Sequence, residues 1–208
     1  MGKLGLIVAA FVLFSFPIGI SGCTPSTPPT IPTTPAAPTT PTTSTVKADW
    51  VLIERTDDNF TVTIPKTWSN LDPSLTEPMG FIFFAVDPQK NPAATRYPGS
   101  FSISKTTLKE VPTIDQVESA NMKDLQSSPE ISDPVSKRVQ LSFGESVQIR
   151  YKNNLKRTDG SVETVEFLQY YFVNGKDIYL FTFETVPALA EKYVPIFLEI
   201  ASSFKFMK

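Results

Sequence analysis

The chain has 208 residues, 41% of them hydrophobic and 12% aromatic, enough to bury one sizeable core once the unusual first quarter is set aside. After Thr45 there are 18 Lys and Arg against 21 Asp and Glu, a net charge of −3, which argues against a nucleic-acid binder, since that would need a basic face to displace phosphate counterions. Histidine is absent and there is a single cysteine, so Ser-His-Asp and Cys-His nucleophiles and the His- and Cys-built sites of zinc, copper and non-haem iron are all excluded, and no cofactor is implied.

Residues 1–22 read as a signal sequence, with Lys3 as a short positive start and Leu4 to Ile20 as an apolar run. By length alone that run would also suit a marginal transmembrane helix. The tetrapeptide Ile20-Ser21-Gly22-Cys23 decides: a branched aliphatic residue, two small residues and the chain's only cysteine match the bacterial lipobox, in which signal peptidase cuts before a diacylglyceryl cysteine. The alternatives are an uncleaved signal anchor, or cleavage elsewhere with Cys23 left as a free thiol, a liability in an exported protein. Myristoylation at Gly2 is excluded because Leu6 stands where Ser or Thr is needed. Cys23 is therefore the expected lipidation site, and two or three acyl chains there would give stable anchoring. The chain is expected on the extracytoplasmic face of the bacterial cell membrane. Position 24 is Thr rather than the Asp that retains lipoproteins at the inner membrane, so the outer membrane is open to it if the source has two.

Cys23 opens a linker over 23–45. Its last 22 residues include ten Thr and seven Pro and carry no charge and no aromatic residue. Proline fixes φ and lacks a donor, and there is almost nothing to bury, so neither helix nor sheet is expected. As a polyproline stalk at about 3.1 Å per residue it would reach roughly 70 Å.

The folded domain is expected over 46–208. Trp50 to Arg55 and Phe60 to Ile64 alternate as two strands about the turn Thr56-Asp57-Asp58-Asn59, and Pro65 closes the second. Met79 to Val86 is a continuous apolar run that suits a strand covered on both faces. Phe101 to Ser104 alternates as another strand. The period then changes: Thr113-Ile114-Asp115-Gln116 has the form of a capping box, and a helix of roughly 14 residues follows, ended by Pro129, with Asp115, Glu118, Lys123 and Asp124 as a solvated face. Strands are predicted over Val135–Ser142, Ser146–Lys152, Thr164–Val173 and Lys176–Thr185, with Asn174-Gly175 as a two-residue type I′ turn. A last helix from Ala188 to Ser203 places Tyr193, Phe197, Ile200 and Phe204 on one face. Together these elements predict an α+β fold, an antiparallel sheet covered by helices.

Phe60-Thr61-Val62-Thr63-Ile64-Pro65-Lys66-Thr67-Trp68 resembles the opening strand, proline and tryptophan of PsbP-like domains. Asn174-Gly175-Lys176-Asp177 through Phe183, followed by Tyr193, Phe197, Ile200 and Ser202-Ser203-Phe204, is similar to their final hairpin and helix, so the likeness covers most of 48–206. The resemblance implies an α/β/α sandwich of the kind found in a photosystem II extrinsic subunit, a Ran-binding transport factor and many bacterial lipoproteins. It implies a protein that binds other proteins and is not an enzyme. No family-wide catalytic set exists to transfer, and this His-free chain cannot supply the His-dependent metal positions of the photosynthetic members.

Candidate sites are few. Trp68 would either line a ligand pocket or cap a strand against a helix, as core tryptophans do. Asp57-Asp58-Asn59 offers too few oxygens for calcium and suits a turn. Glu163 and Glu166, three apart on a strand, point to opposite faces and cannot act as a catalytic pair. The pairs Ser104-Lys105 and Ser136-Lys137 diverge for the same reason. Arg150, Lys152, Lys156 and Arg157 would meet an acidic partner or lipid headgroups, or guard a sheet edge against pairing. The expected function is that of a membrane-anchored, non-enzymatic lipoprotein that binds or scaffolds a protein of the cell envelope. The alternative is a lipoprotein holding a small apolar or amphipathic ligand between sheet and helix.

Overall fold

A computed structural model describes residues 48–72, 76, 80–89, 97–156 and 160–207. The signal sequence, Cys23, the Thr/Pro segment and Arg157 lie outside the described residues. Strands β1 (Trp50–Arg55) and β2 (Phe60–Pro65) pair antiparallel about a turn in which Asn59 takes φ +59° and its N–H donates to the Thr56 carbonyl at 3.3 Å. Asparagine is among the residues that tolerate this left-handed conformation best. The alternation of β2 buries Phe60, Val62 and Ile64 on one side.

Seven further strands form one antiparallel sheet: β3 (Ser69–Asn70), β4 (Phe81–Val86), β5 (Gly99–Thr107), β6 (Ile131–Leu141), β7 (Gly144–Lys156), β8 (Val162–Asn174) and β9 (Asp177–Thr185). Their order, β3-β4-β5-β9-β8-β7-β6, places β6 at the far edge from the strands before it. Helix α1 (Ile114–Ser127) makes that crossing and covers the face it passes over. The Thr113 hydroxyl accepts from the Gln116 N–H at 3.2 Å and the Gln116 side chain accepts from the Thr113 N–H at 2.8 Å, so the capping box forms as its spacing requires. Val117 is buried against Val147, Ile149, Tyr151 and Tyr171, with Ile114, Met122 and Leu125 partly covered beside it.

A short 3-10 turn (Pro187–Leu189) leads into α2 (Ala190–Ser203), which buries Tyr193, Phe197 and Ile200 on the opposite sheet face. The helix begins two residues later than the sequence suggests, because Pro187 opens a tighter turn first. A two-residue strand β10 (Lys205–Phe206) then pairs with β2. The Ser203 hydroxyl accepts from the Thr63 N–H at 2.9 Å and ties this end of α2 to β2. Phe204 is fully buried and meets the rings of Phe60, Phe143, Phe172 and Phe181 at 4.9–5.7 Å. The aromatic surplus of the sequence is thus largely spent on one interior.

Two local expectations change. Asn174 pairs with Asp177 across the hairpin, so the loop is Gly175-Lys176, and only Gly175 takes positive φ (+61°). One left-handed residue at the first loop position is the type II′ pattern, not I′, and glycine supplies it at no steric cost while the ladder gains a pair. Asp115 and Glu118 are not simply a solvated face. Glu118 accepts from Arg138 of β6 at 3.0 Å, Asp115 pairs with the same guanidinium, and Glu145 lies 3.5 Å from it. Burial lowers the Arg138 pKa, but hydrogen bonds and charge from Glu118 and Asp115 outweigh it and leave it above the ordinary value.

Candidate functional site: a charged cleft on the outer strands

Alternation along β7 sends Ile149 and Tyr151 under α1 and Arg150 and Lys152 to the other face. Register then fixes the neighbours: Arg150 lies opposite Val135 and Leu168, and Lys152 opposite Ser132 and Glu166. Between Ser132 and Val135 the pairing slips, so that Asp133 and Pro134 together face Tyr151 alone. This is a β-bulge, and its positive-φ residue, Asp133 at +54°, brings a carboxylate to 3.5 Å from the Lys152 ammonium. Asp133, Val135, Arg150, Tyr151, Lys152 and Glu166 line a cleft of about 230 Å³.

Glu166 is only 6% exposed, and Nε and Nη2 of Arg150 both donate to its Oε1. A buried carboxylate left unpaired costs several kcal/mol, so this contact holds the guanidinium in one orientation. Arg150 itself is 54% exposed, and its Nη1 has no partner among the described residues. The arrangement can bind a negative group. It offers a fixed planar donor on Arg150, a second cation two residues along that is shared with Asp133, and an apolar wall in Val135, which is 63% exposed. No group of three or more His, Cys, Asp or Glu among the described residues is placed to hold a metal ion.

Of the residues singled out in the sequence, Arg150 and Lys152 come together. Lys156 lies exposed on the same face, four residues further along β7. Arg157 and Cys23 are outside the described residues. Trp68 is 6% exposed, and its ring lies 6.4 Å from Tyr193 and 6.3 Å from Phe197, within the core. Asp133 and Glu166 were missed as lining residues; an Asp-Pro pair inside a strand was the available signal for the bulge, while the Glu166 contact depends on cross-strand register.

A second polar cluster is filled rather than open. The Tyr193 hydroxyl donates to Asp87 Oδ2 at 2.7 Å, and Asp87 Oδ1 accepts from the Gln89 N–H at 2.9 Å. Lys192 Nζ lies 3.3 Å from the same hydroxyl and 4.7 Å from the ring centroid. Burial, and then the hydrogen bond and charge of Asp87, push the Tyr193 phenol well above its ordinary pKa.

The strand order, with α1 across one face and α2 on the other, is a PsbP-like α+β fold. Cyanobacterial PsbP (CyanoP) of Synechocystis sp. PCC 6803 matches it with TM-score 0.54 and 16% identity, over 78% of this chain and 95% of that one. LpqN of Mycobacterium tuberculosis, described as involved in cell envelope biogenesis, matches with TM-score 0.52 and 14% identity, over 76% of this chain and 91% of its own. The Ran-binding protein Mog1p of Saccharomyces cerevisiae overlaps more loosely, with TM-score 0.49 and 10% identity over 76% of this chain and 96% of its own, and adds nothing to the assignment. No family model and no curated protein sequence matches the chain.

Proposed function

We propose that this chain is a lipid-anchored, extracytoplasmic module that binds another protein of the bacterial cell envelope and catalyses no reaction. The observation that carries the reading is the Arg150–Glu166 pair: an oriented, half-exposed guanidinium on the outer strands, beside the exposed Val135 of the edge strand. The Ile20-Ser21-Gly22-Cys23 tetrapeptide supports the anchor, and the composition of the Thr/Pro stretch after it fits a spacer. LpqN supplies a precedent for this fold in an envelope process.

The alternative, an apolar ligand held between sheet and helix, has less support. Phe83, Phe101, Phe183 and Phe197 pack ring against ring in succession at 4.6–5.6 Å and occupy that layer. Purification of the full chain from its own membranes, followed by native mass spectrometry, tests the two. A stoichiometric complex with a second protein is the expected result. A small-molecule adduct alone would favour the alternative, and repeated recovery of the bare chain would count against both.

A further inference from the structure

We propose that the cleft takes the carboxylate of an Asp or Glu side chain presented by a protein partner, with Glu166 as the positioning residue for Arg150. The inference rests on the protein-binding reading and names the chemistry of the partner's contact. Three observations carry it.

The first is size. At about 230 Å³ the cleft is smaller than the roughly 300–1,000 Å³ typical of small-molecule sites, and suits a single side chain. The second is charge. The domain as a whole is acidic, yet this face of β6 and β7 presents Lys137, Arg150, Lys152 and Lys156 against Asp133 and Glu166. Lys137 shares the face because it lies directly opposite Gln148, which alternates with Arg150. Inside the cleft the charges balance, Arg150 against Glu166 and Lys152 against Asp133, so the excess on the face comes from Lys137 and Lys156 beside it, and it favours an acidic approach over a basic one.

The third is preorganisation. Both contacts of Arg150 with Glu166 fall on one carboxylate oxygen and use Nε and Nη2. The remaining edge of the guanidinium is left exposed beside the cleft, oriented without first having to be ordered, and an oriented donor pair is what carboxylate recognition requires. Val135, exposed on the edge strand beside it, provides an apolar contact for the residue flanking the acidic one.

The test titrates the full-length, isotope-labelled protein in detergent with a blocked Val-Glu-Val-Glu peptide, its Val-Gln-Val-Gln counterpart and phosphatidylglycerol vesicles. The Glu peptide is expected to shift the backbone amides of Val135, Arg150 and Lys152, in a manner weakened by salt, and the Gln peptide to leave them in place. Arg150→Gln alone strands Glu166 and risks misfolding, so the variants are the double Arg150→Gln/Glu166→Gln, which removes the pair together, and Lys152→Gln. Each should bind about tenfold more weakly, the loss of a charge-assisted contact, while Lys109→Gln on an exposed loop binds as the wild type does. Equal binding of the Gln peptide, unchanged affinity in both variants, or shifts produced by the vesicles in place of the peptide would each overturn the proposal. Where wild type and Lys152→Gln retain the same envelope partner equally, the protein-binding reading stands and the cleft assignment falls.

Discussion

Tyr193 of α2 closes directly over Gly99 of β5: a Cβ at position 99 would lie 2.6 Å from both Cδ1 and Cε1 of the ring. The contact sets how near α2 can approach the sheet, and the same ring carries the hydroxyl that satisfies Asp87. Gly99→Ala must displace the ring or the helix, at a cost of about 1–3 kcal/mol. Urea unfolding should show a lower midpoint with an unchanged slope. A midpoint equal to wild type would mean that the helix yields without penalty.

Tyr193→Phe keeps the ring and removes the hydroxyl. Asp87 is 5% exposed, so its Oδ2 loses a partner it cannot replace with bulk water, which costs about 1–3 kcal/mol. Combined with Asp87→Asn, the two losses should be strongly non-additive. Simple additivity would contradict the coupling.

Alkaline pH offers a separate handle. Tyr170 is fully buried, and burial pushes its phenol from 10.0 to about 12, a shift that the hydrogen bond donated by Gln148 partly opposes. The folded state therefore keeps a proton that the unfolded chain gives up. This contribution is whole below about pH 10 and is lost as pH rises through about 12, on the order of 2–3 kcal/mol. Unfolding free energies measured across that window should decline, and less steeply in Tyr170→Phe. A flat profile would show that the phenol ionises equally in both states.

The hairpin between β8 and β9 distinguishes two turns. With positive φ at Gly175 alone, Gly175→Ala should lose about 1–2 kcal/mol, while Asn174→Thr, at a paired strand position, should change stability little. The reverse ranking, read from thermal midpoints, would restore the type I′ assignment.

These cases show what the sequence carries and where it stops. The capping box at Thr113, the strand alternation of Phe60 to Ile64 and the helical stripe of Tyr193, Phe197 and Ile200 are local patterns, and local rules recover them. The Asn174-Gly175 signal found the hairpin but misplaced its loop by one residue, because the pairing of Asn174 with Asp177 is a property of two strands. The clasp of Asp115 and Glu118 on Arg138 joins residues 20 or more apart, and no periodicity encodes it. The cleft was half legible. Arg150 and Lys152 stood out as cations on a strand, whereas Glu166 entered only through the β7–β8 register and Asp133 through a bulge.

A binding module of this kind needs a tether, since without one it would have no fixed place to act. Growing the native host with a palmitate analogue, and comparing wild type with Cys23→Ala, reads the tether directly. The wild type should be labelled and sediment with membranes, and Cys23→Ala should be unlabelled and leave the membrane fraction. Persistent labelling of Cys23→Ala at the wild-type level would contradict the account.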